Sequence, residues 1–403
     1  MTLRNKTLNT SSLLEGDKFL WTILFVLCLV SILEVYSASS TMTFKSGVSY
    51  WSPVLKHTLL LSAGLVLTYV IHKMPPRYFG YLALGGITLS AIGLLIALMA
   101  PTELNDTSRW MRVGGFSIQP SEFAKGFLIM MAAVFLSYFR DERGATNTAL
   151  KAILIVSIPV CLLIFKENLS TAVMTFLVLL LMMFIGQVPL KSLGILLGVL
   201  GIVGGLALSA LMLTPEEQLD KLHDVPVLKR APVWANRLRD HVEFPPNPND
   251  FDLNTNRQVV QAHIAVATNN FIGRGPGNSR VRDFLYHAES DFIFAIILEE
   301  LGVFGGFFVM FLYVIILFRA AQIARRCDSY MSTYMVLGLA LLIGLQALIN
   351  MSVAVGVIPV TGQTLPMVSK GGSSILAMCL YFGIMINISR GAQKNTVLSP
   401  AEA

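Results

Sequence analysis

The chain is expected to be an all-α polytopic integral membrane protein, with about ten transmembrane helices and a large extracytoplasmic loop between the seventh and eighth. Three observations predict this class. Of its 403 residues 54% are hydrophobic and 13% charged, and the mean hydropathy is +0.67, a profile that belongs to membrane-embedded chains. The apolar residues fall in runs of about 20, the length needed to cross a hydrocarbon core. The cations gather in short loops, and those loops share one side when both termini are cytoplasmic.

The runs lie near 18–37, 53–72, 79–100, 120–139, 150–166, 169–187, 191–213, 291–318, 331–352 and 371–390. The first is longer than a signal-peptide core and lacks a clear small-residue cleavage site, so it reads as a retained span. On the cytoplasmic side this arrangement collects Arg4, Lys6, Lys18, Lys73, Arg77, Arg140, Arg143, Lys151, Lys191, Arg319, Arg325, Arg326, Arg390 and Lys394. The opposite short loops hold little beyond Lys45, Arg109, Arg112 and Lys166. The whole of 1–403 reads as a single membrane domain whose 214–290 segment is the large outer loop. A net charge of +6 spread over short loops gives no support to nucleic-acid binding. The four cysteines have no CxxC or Cys/His spacing, and packing explains the three in apolar runs.

Between the third and fourth runs lies the first polar cluster, Arg109-Trp110-Met-Arg112 leading into Gln119-Pro-Ser-Glu122-Phe-Ala-Lys125. Pro120 suits the first position of a helix, and Glu122 and Lys125, three apart, share one face and can pair. A snorkelling interfacial ion pair is the plain reading. The functional one is a wall for an anionic lipid headgroup, with Arg109 and Lys125 on phosphate and Trp110 at headgroup depth.

In the long loop, Phe244-Pro-Pro-Asn-Pro-Asn-Asp250 reads as irregular chain and Gln258 to Ala267 as an amphipathic helix at the interface. The run Gly273-Arg-Gly-Pro-Gly-Asn-Ser279 has neither a preceding strand nor a following Lys-Ser/Thr, so a tight turn is expected instead of a nucleotide-binding loop.

Asp291 opens the eighth apolar run, and Glu299, Glu300 follow about two turns deeper. A charge carried to the bilayer centre costs roughly 2.5–3.5 kcal/mol, so a carboxylate at a span's mouth is a functional candidate by default. If Asp291 and Glu299 share one helix, their eight-residue separation is about 12 Å of axis. At that separation they make a poor acid/base pair, so Glu299 and Glu300 are assigned to structure or to interhelical pairing. The third cluster, Asn350 to Ser374, is rich in Gly, Pro and Ser. Irregular backbone at membrane depth must be buried in protein or line a cavity, so a hairpin dipping back beside the outer mouth is expected, against a plain connecting loop.

These clusters, in this order and spacing, resemble the SEDS family (shape, elongation, division and sporulation) of polytopic cell-wall proteins over nearly the whole chain. Arg109-Trp110 with Gln119-Pro-Ser-Glu122 and Lys125 resembles one family motif. Gln258 and Gln261 resemble its Gln-rich segment, and Arg237 the arginine at the start of its loop. Asp291-Phe-Ile-Phe-Ala with Glu299-Glu-Leu-Gly302 resembles a second signature, and Pro359 through Ser374 its Leu-Pro hairpin. The departures are Tyr286 and Glu289 where Pro and His are usual, Lys370 where Tyr is usual, and Asn168 in the place of an Asp.

The resemblance implies a peptidoglycan glycosyltransferase that polymerises lipid II outside the membrane. Asp291 would be the general base for the acceptor 4-hydroxyl, its pKa raised by desolvation. Arg109, Lys125, Arg274 or Lys370, or a divalent cation such as Mg or Mn, would supply countercharge for the departing pyrophosphate. Arg109, Trp110, Glu122, Lys125, Gln258, Gln261, Arg274, Ser369, Lys370 and Ser373 are the expected substrate-binding residues. The resemblance further implies a class B penicillin-binding protein and other divisome membrane proteins as partners. It places the chain in the bacterial inner membrane, and the glycine turn looks most like the division branch, hence the septum. Two readings of other classes stand beside it: a lipid II flippase, and a non-enzymatic scaffold docking a transpeptidase through Gly194, Gly198, Gly201, Gly204 and Gly205, whose commoner use is internal packing.

Overall fold

The computed structural model describes residues 14–46, 51–99, 111–113, 116–166, 168–215, 230–242, 257–268, 270–281 and 290–398. Seven long helices come first: α1 Lys18–Ser46, α2 Trp51–Lys73, α3 Phe79–Met99, α4 Pro120–Tyr138, α5 Asn147–Phe165, α6 Leu169–Ile185 and α7 Leu190–Leu213. Two shorter ones, α8 Ala231–Val242 and α9 Arg257–Ala267, belong to the long loop. The bundle resumes with α10 Ile293–Ala324, α11 Tyr330–Ala354 and α12 Gly372–Leu398. Among the described residues nine helices are long and apolar enough to cross a membrane. The remaining expected span, the sixth, is α6, which has 17 residues, about 26 Å of axis against a hydrocarbon core of about 30 Å. A small hairpin not expected from sequence, β1 Met111–Val113 paired antiparallel with β2 Phe116–Ile118, delivers the chain to α4.

Local chemistry sets several helix ends. Pro120 occupies the first turn of α4, where its missing N–H costs nothing. Asn168 caps α6, its Oδ1 accepting from the Thr171 N–H at 3.2 Å, a role any Asx side chain fills. At the end of α2 Asn387 Nδ2 of α12 lies within hydrogen-bond distance of the carbonyls of Ile71, His72 and Met74, the first of which also accepts the Met74 N–H at 3.1 Å.

The core is built around α12, which packs against α2, α4 and α11. A Cβ on Gly126 of α4 would lie 2.1 Å from the ring of Tyr381 of α12, so only glycine lets those two helices approach. By contrast α7 contributes only Leu193 to the buried interior. Among the described residues, a Cβ added at Gly194, Gly198, Gly201, Gly204 or Gly205 would meet nothing within 4 Å. Internal packing, the commoner use of such a stripe, is therefore not what these glycines do in this bundle.

The helix α10 is broken at Gly302, where φ is 72° and ψ −173°. Such a break frees carbonyls on one side and N–H groups on the other, and all must find partners. The 270–275 loop supplies them: Arg274 N–H donates to Glu299 O (3.0 Å) and Gly275 N–H to Glu300 O (2.8 Å). Val303 and Phe304 N–H donate to the carbonyls of Asn270 and Phe271. The glycine turn expected from sequence is thus a plug for a helix break, with positive φ at Gly273, Gly275 and Gly277.

Candidate functional site

Glu299 and Glu300, both fully buried, are the pegs of that plug. Glu300 accepts from the N–H groups of Gly277 (2.9 Å) and Ser279 (3.3 Å) and from the Ser37 hydroxyl of α1. Glu299 accepts from the Ser279 hydroxyl and the Arg280 N–H (2.9 Å), and Arg274 stands 3.9 Å from it. Two carboxylates satisfied in this way are fixed acceptors, so the structural role assigned to them from sequence is the one the contacts support. Arg274, expected as a countercharge, faces Glu299.

Asp291 does not begin the helix. It lies in a turn two residues before Ile293, half-buried, and Ser290 Oγ donates to its Oδ1 at 2.9 Å. The peptides on either side are gripped from two directions. Asn350 Nδ2 of α11 donates to the Asp291 carbonyl at 2.9 Å, and Ser369 Oγ of the 355–371 segment donates to the Ser290 carbonyl at 2.6 Å. Ser369 is itself oriented by accepting the Leu365 N–H at 2.8 Å. The expected substrate-binding serine at 369 is thus a clamp on the backbone beside Asp291.

The segment that supplies Ser369 is irregular backbone sunk into the bundle, as expected from its composition. Gln363 and Leu365 through Ser369 are buried. Its carbonyls are taken by side chains: Gln363 O by Asn350 (2.7 Å), Thr364 O by Gln346 (2.9 Å), and Pro366 O by Tyr313 (2.6 Å). Gln363 in turn donates to the Thr171 hydroxyl of α6. Ser373, at the start of α12, accepts the Gln119 N–H at 2.9 Å, joining the hairpin to the first polar cluster.

In that cluster the structure decides between the two sequence readings of Glu122 and Lys125. Lys125 has no exposed surface and Glu122 only 4%, so this is not a snorkelling pair at an interface. Lys125 Nζ donates to Glu122 Oε1 at 2.8 Å and to Gln346 Oε1 at 2.6 Å. A buried charge needs this degree of satisfaction, since desolvation otherwise outweighs the pairing. With its charge matched by Glu122, Lys125 is a positioned donor more than a free countercharge.

Arg237 of α8 lies near enough to Asp291 to feel its charge. Its Nη1 donates to the Val360 carbonyl at 3.2 Å. Burial pushes its guanidinium below the ordinary arginine range, the Asp291 carboxylate opposes that shift, and Arg230 adds to it. Lys370, partly buried at the hairpin's end, lies near enough to His57 of α2 to act on it electrostatically. Gln261 is half-buried on α9, whose Val260, Ala262 and Ala265 pack against the bundle. Arg109, Trp110 and the side chain of Gln258 lie outside the described residues. Among the described residues no group of three or more His, Cys, Asp or Glu side chains is arranged to hold a metal ion.

Sequence reasoning passed over Gln346 and took Asn350 and Gln363 only as members of the third cluster, without a role of their own. Two amides four residues apart inside an apolar span share one helix face, and that periodic signal was available in the sequence.

Residues 17–394 match the model of the FtsW, RodA and SpoVE cell cycle protein family. Two relatives are each a probable peptidoglycan glycosyltransferase FtsW. That of Coxiella burnetii is 32% identical over 383 residues, covering 92% of this chain and 95% of the relative. That of Saccharophagus degradans is 34% identical over 386 residues, covering 92% of each. In fold, the chain superimposes with a TM-score of 0.71 on a chain of a solved peptidoglycan synthase complex that coordinates polymerization and crosslinking, at 21% identity over 94% of this chain and 98% of that one. From residue 17 to residue 394, then, this chain belongs to the FtsW, RodA and SpoVE family of SEDS membrane proteins.

Proposed function

We propose that the chain is a peptidoglycan glycosyltransferase that polymerises lipid II into glycan strands during bacterial cell division, with Asp291 as the general base. The observation that carries this reading is the double clamp of Asn350 and Ser369 on the backbone at Asp291. It fixes a carboxylate at a helix mouth while leaving its Oδ2 free of any hydrogen bond among the described residues. Catalytic groups need such preorganisation, because a misplaced base loses most of its advantage.

Asp291 takes the proton of the acceptor sugar's 4-hydroxyl as that oxygen bonds to the anomeric carbon of the donor. The bond from that carbon to undecaprenyl pyrophosphate breaks, and the pyrophosphate leaves with the electron pair. Arg237, which feels the Asp291 charge, supplies countercharge for the departing pyrophosphate. Lys125, Glu122 and Gln346 hold α4 and α11 in register behind it.

Under this reading both termini are cytoplasmic, the Asp291 face is extracytoplasmic, and the chain sits in the inner membrane at the septum. A class B penicillin-binding protein cross-links the product. The test is polymerisation of purified lipid II by the full-length protein, alone and with its transpeptidase. Wild type is expected to make glycan strands and Asp291→Asn none, at an unchanged unfolding temperature; strands from Asp291→Asn would exclude it as the base.

A further inference from the structure

Ser31 of α1 and His57 of α2 are both buried, and Ser31 Oγ stands 2.7 Å from His57 Nε2. The same hydroxyl donates to the Val368 carbonyl at 2.9 Å. A serine hydroxyl has one proton, and the carbonyl, which only accepts, takes it. His57 therefore carries a proton on Nε2 and donates it to Ser31, which fixes the ring's tautomer. The imidazole orients the hydroxyl, and the hydroxyl holds the peptide between Val368 and Ser369.

That peptide is the last link before the clamp at Asp291. Its N–H, on Ser369, donates to the Leu365 carbonyl at 3.0 Å, so the planar unit is held at both ends. Ser369 Oγ then donates to the Ser290 carbonyl at 2.6 Å, and Ser290 Oγ to Asp291 Oδ1 at 2.9 Å. The carbonyls of Gln363, Thr364 and Pro366 lie earlier in the hairpin and are gripped from α10 and α11. Val368, next to Ser369, is gripped from α1. His57 thus connects to Asp291 without a gap, through Ser31, the Val368–Ser369 peptide and Ser290.

We propose that Ser31 and His57 are positioning residues for glycosyl transfer: they set the orientation of Ser369 and, through it, the aim of the Asp291 carboxylate. Neither touches substrate. This inference rests on Asp291 being the base.

The experiment measures lipid II polymerisation by purified full-length variants, with kcat expressed per folded molecule and unfolding temperatures taken on the same preparations. Ser31→Ala is expected to lower kcat by about 10–100-fold, the effect of a slightly misaimed base, with KM within about twofold of wild type. His57→Phe keeps a ring and removes the donor, and should lower kcat by about 2–10-fold. His57→Gln still presents a nitrogen donor to Ser31 and should recover most of that loss. Ser369→Ala cuts the same series nearer Asp291, so adding Ser31→Ala to it should cost no more than about a further twofold. Asn387→Ala is the control: it loosens α12 from α2 at the opposite end of α2 from His57. It should lower the unfolding temperature and leave kcat unchanged.

Wild-type kcat in Ser31→Ala overturns the proposal, as does a full second loss when Ser31→Ala is added to Ser369→Ala. A kcat loss in Asn387→Ala as large as in Ser31→Ala also overturns it, because the effect then follows stability alone. If Ser31→Ala does not fold, equal turnover by His57→Phe and His57→Gln is the overturning result. Asp291→Asn run in parallel separates the two readings. If it is inactive while Ser31→Ala turns over normally, only the positioning role falls; if it polymerises, the base assignment falls first.

Discussion

Lys125 of α4 reaches across to Gln346 of α11 with its Nζ 2.6 Å from the amide oxygen, while holding Glu122 at 2.8 Å. The pair is sealed from solvent and joins two helices that meet far apart in sequence. Removing the lysine strands a buried carboxylate. Lys125→Met is expected to cost about 3–5 kcal/mol, and Lys125→Met with Glu122→Gln to recover most of it without restoring polymerisation. Thermal unfolding and lipid II turnover on the same preparations check both halves.

Arg237 and Arg274 are expected to separate by phenotype. Arg237 faces Asp291, and Arg274 faces the structural Glu299. Arg237→Ala should lower kcat/KM by about 10²–10³-fold, the usual loss for one preorganised charge donor, with little change in stability. Arg274→Ala should lower the unfolding temperature and leave turnover per folded molecule close to wild type. The reverse pattern would move the countercharge to the glycine turn.

Gly302 cannot carry a side chain. Its φ of 72° is left-handed, and a Cβ would fall 2.4 Å from Gly273 N and 2.5 Å from Phe271 O. Backbone strain alone costs about 1–3 kcal/mol at such a position, and the clash is with backbone that cannot step aside. Gly302→Ala should therefore unfold well below wild type and expose the 270–275 loop to faster amide exchange.

Glu34 of α1 is fully buried, and neither carboxyl oxygen has a hydrogen-bond partner among the described residues. A buried polar group left unpaired costs about 1–3 kcal/mol. Glu34→Leu is expected to raise the unfolding temperature at neutral pH, and a fall would mean the carboxyl has found a partner.

His263, on α9 outside the spans, has its pKa lowered by burial, with His241 adding to the shift. The unfolded chain then binds the proton more readily than the folded one. Stability contributed by the neutral ring is full above about pH 6.5 and declines as pH falls toward the depressed folded value. His263→Gln should flatten the fall in unfolding temperature over that window.

Ten apolar runs, the helix start at Pro120, the glycine turn and the three polar clusters were all legible in the sequence. Each follows from chemistry confined to one segment: the thickness of a hydrocarbon core, the missing N–H of proline, the left-handed φ that glycine permits. The sequence also separated Asp291 from Glu299 and Glu300, on the premise of one shared helix; in the structure the separation rests instead on their partners, because Asp291 lies in a turn before Ile293. Only the tertiary structure decided what those residues meet. Lys125 and Gln346 are 221 positions apart, Glu300 and Ser37 263 apart, and no periodicity within a helix states which other helix lies against it. The same limit assigned Arg274 to Glu299 and Arg237 to Asp291, turned Ser369 into a backbone clamp and made Lys125 a buried donor. Partner choice at a site is fixed by packing across the bundle, where desolvation penalises a buried charge that does not meet groups to satisfy it.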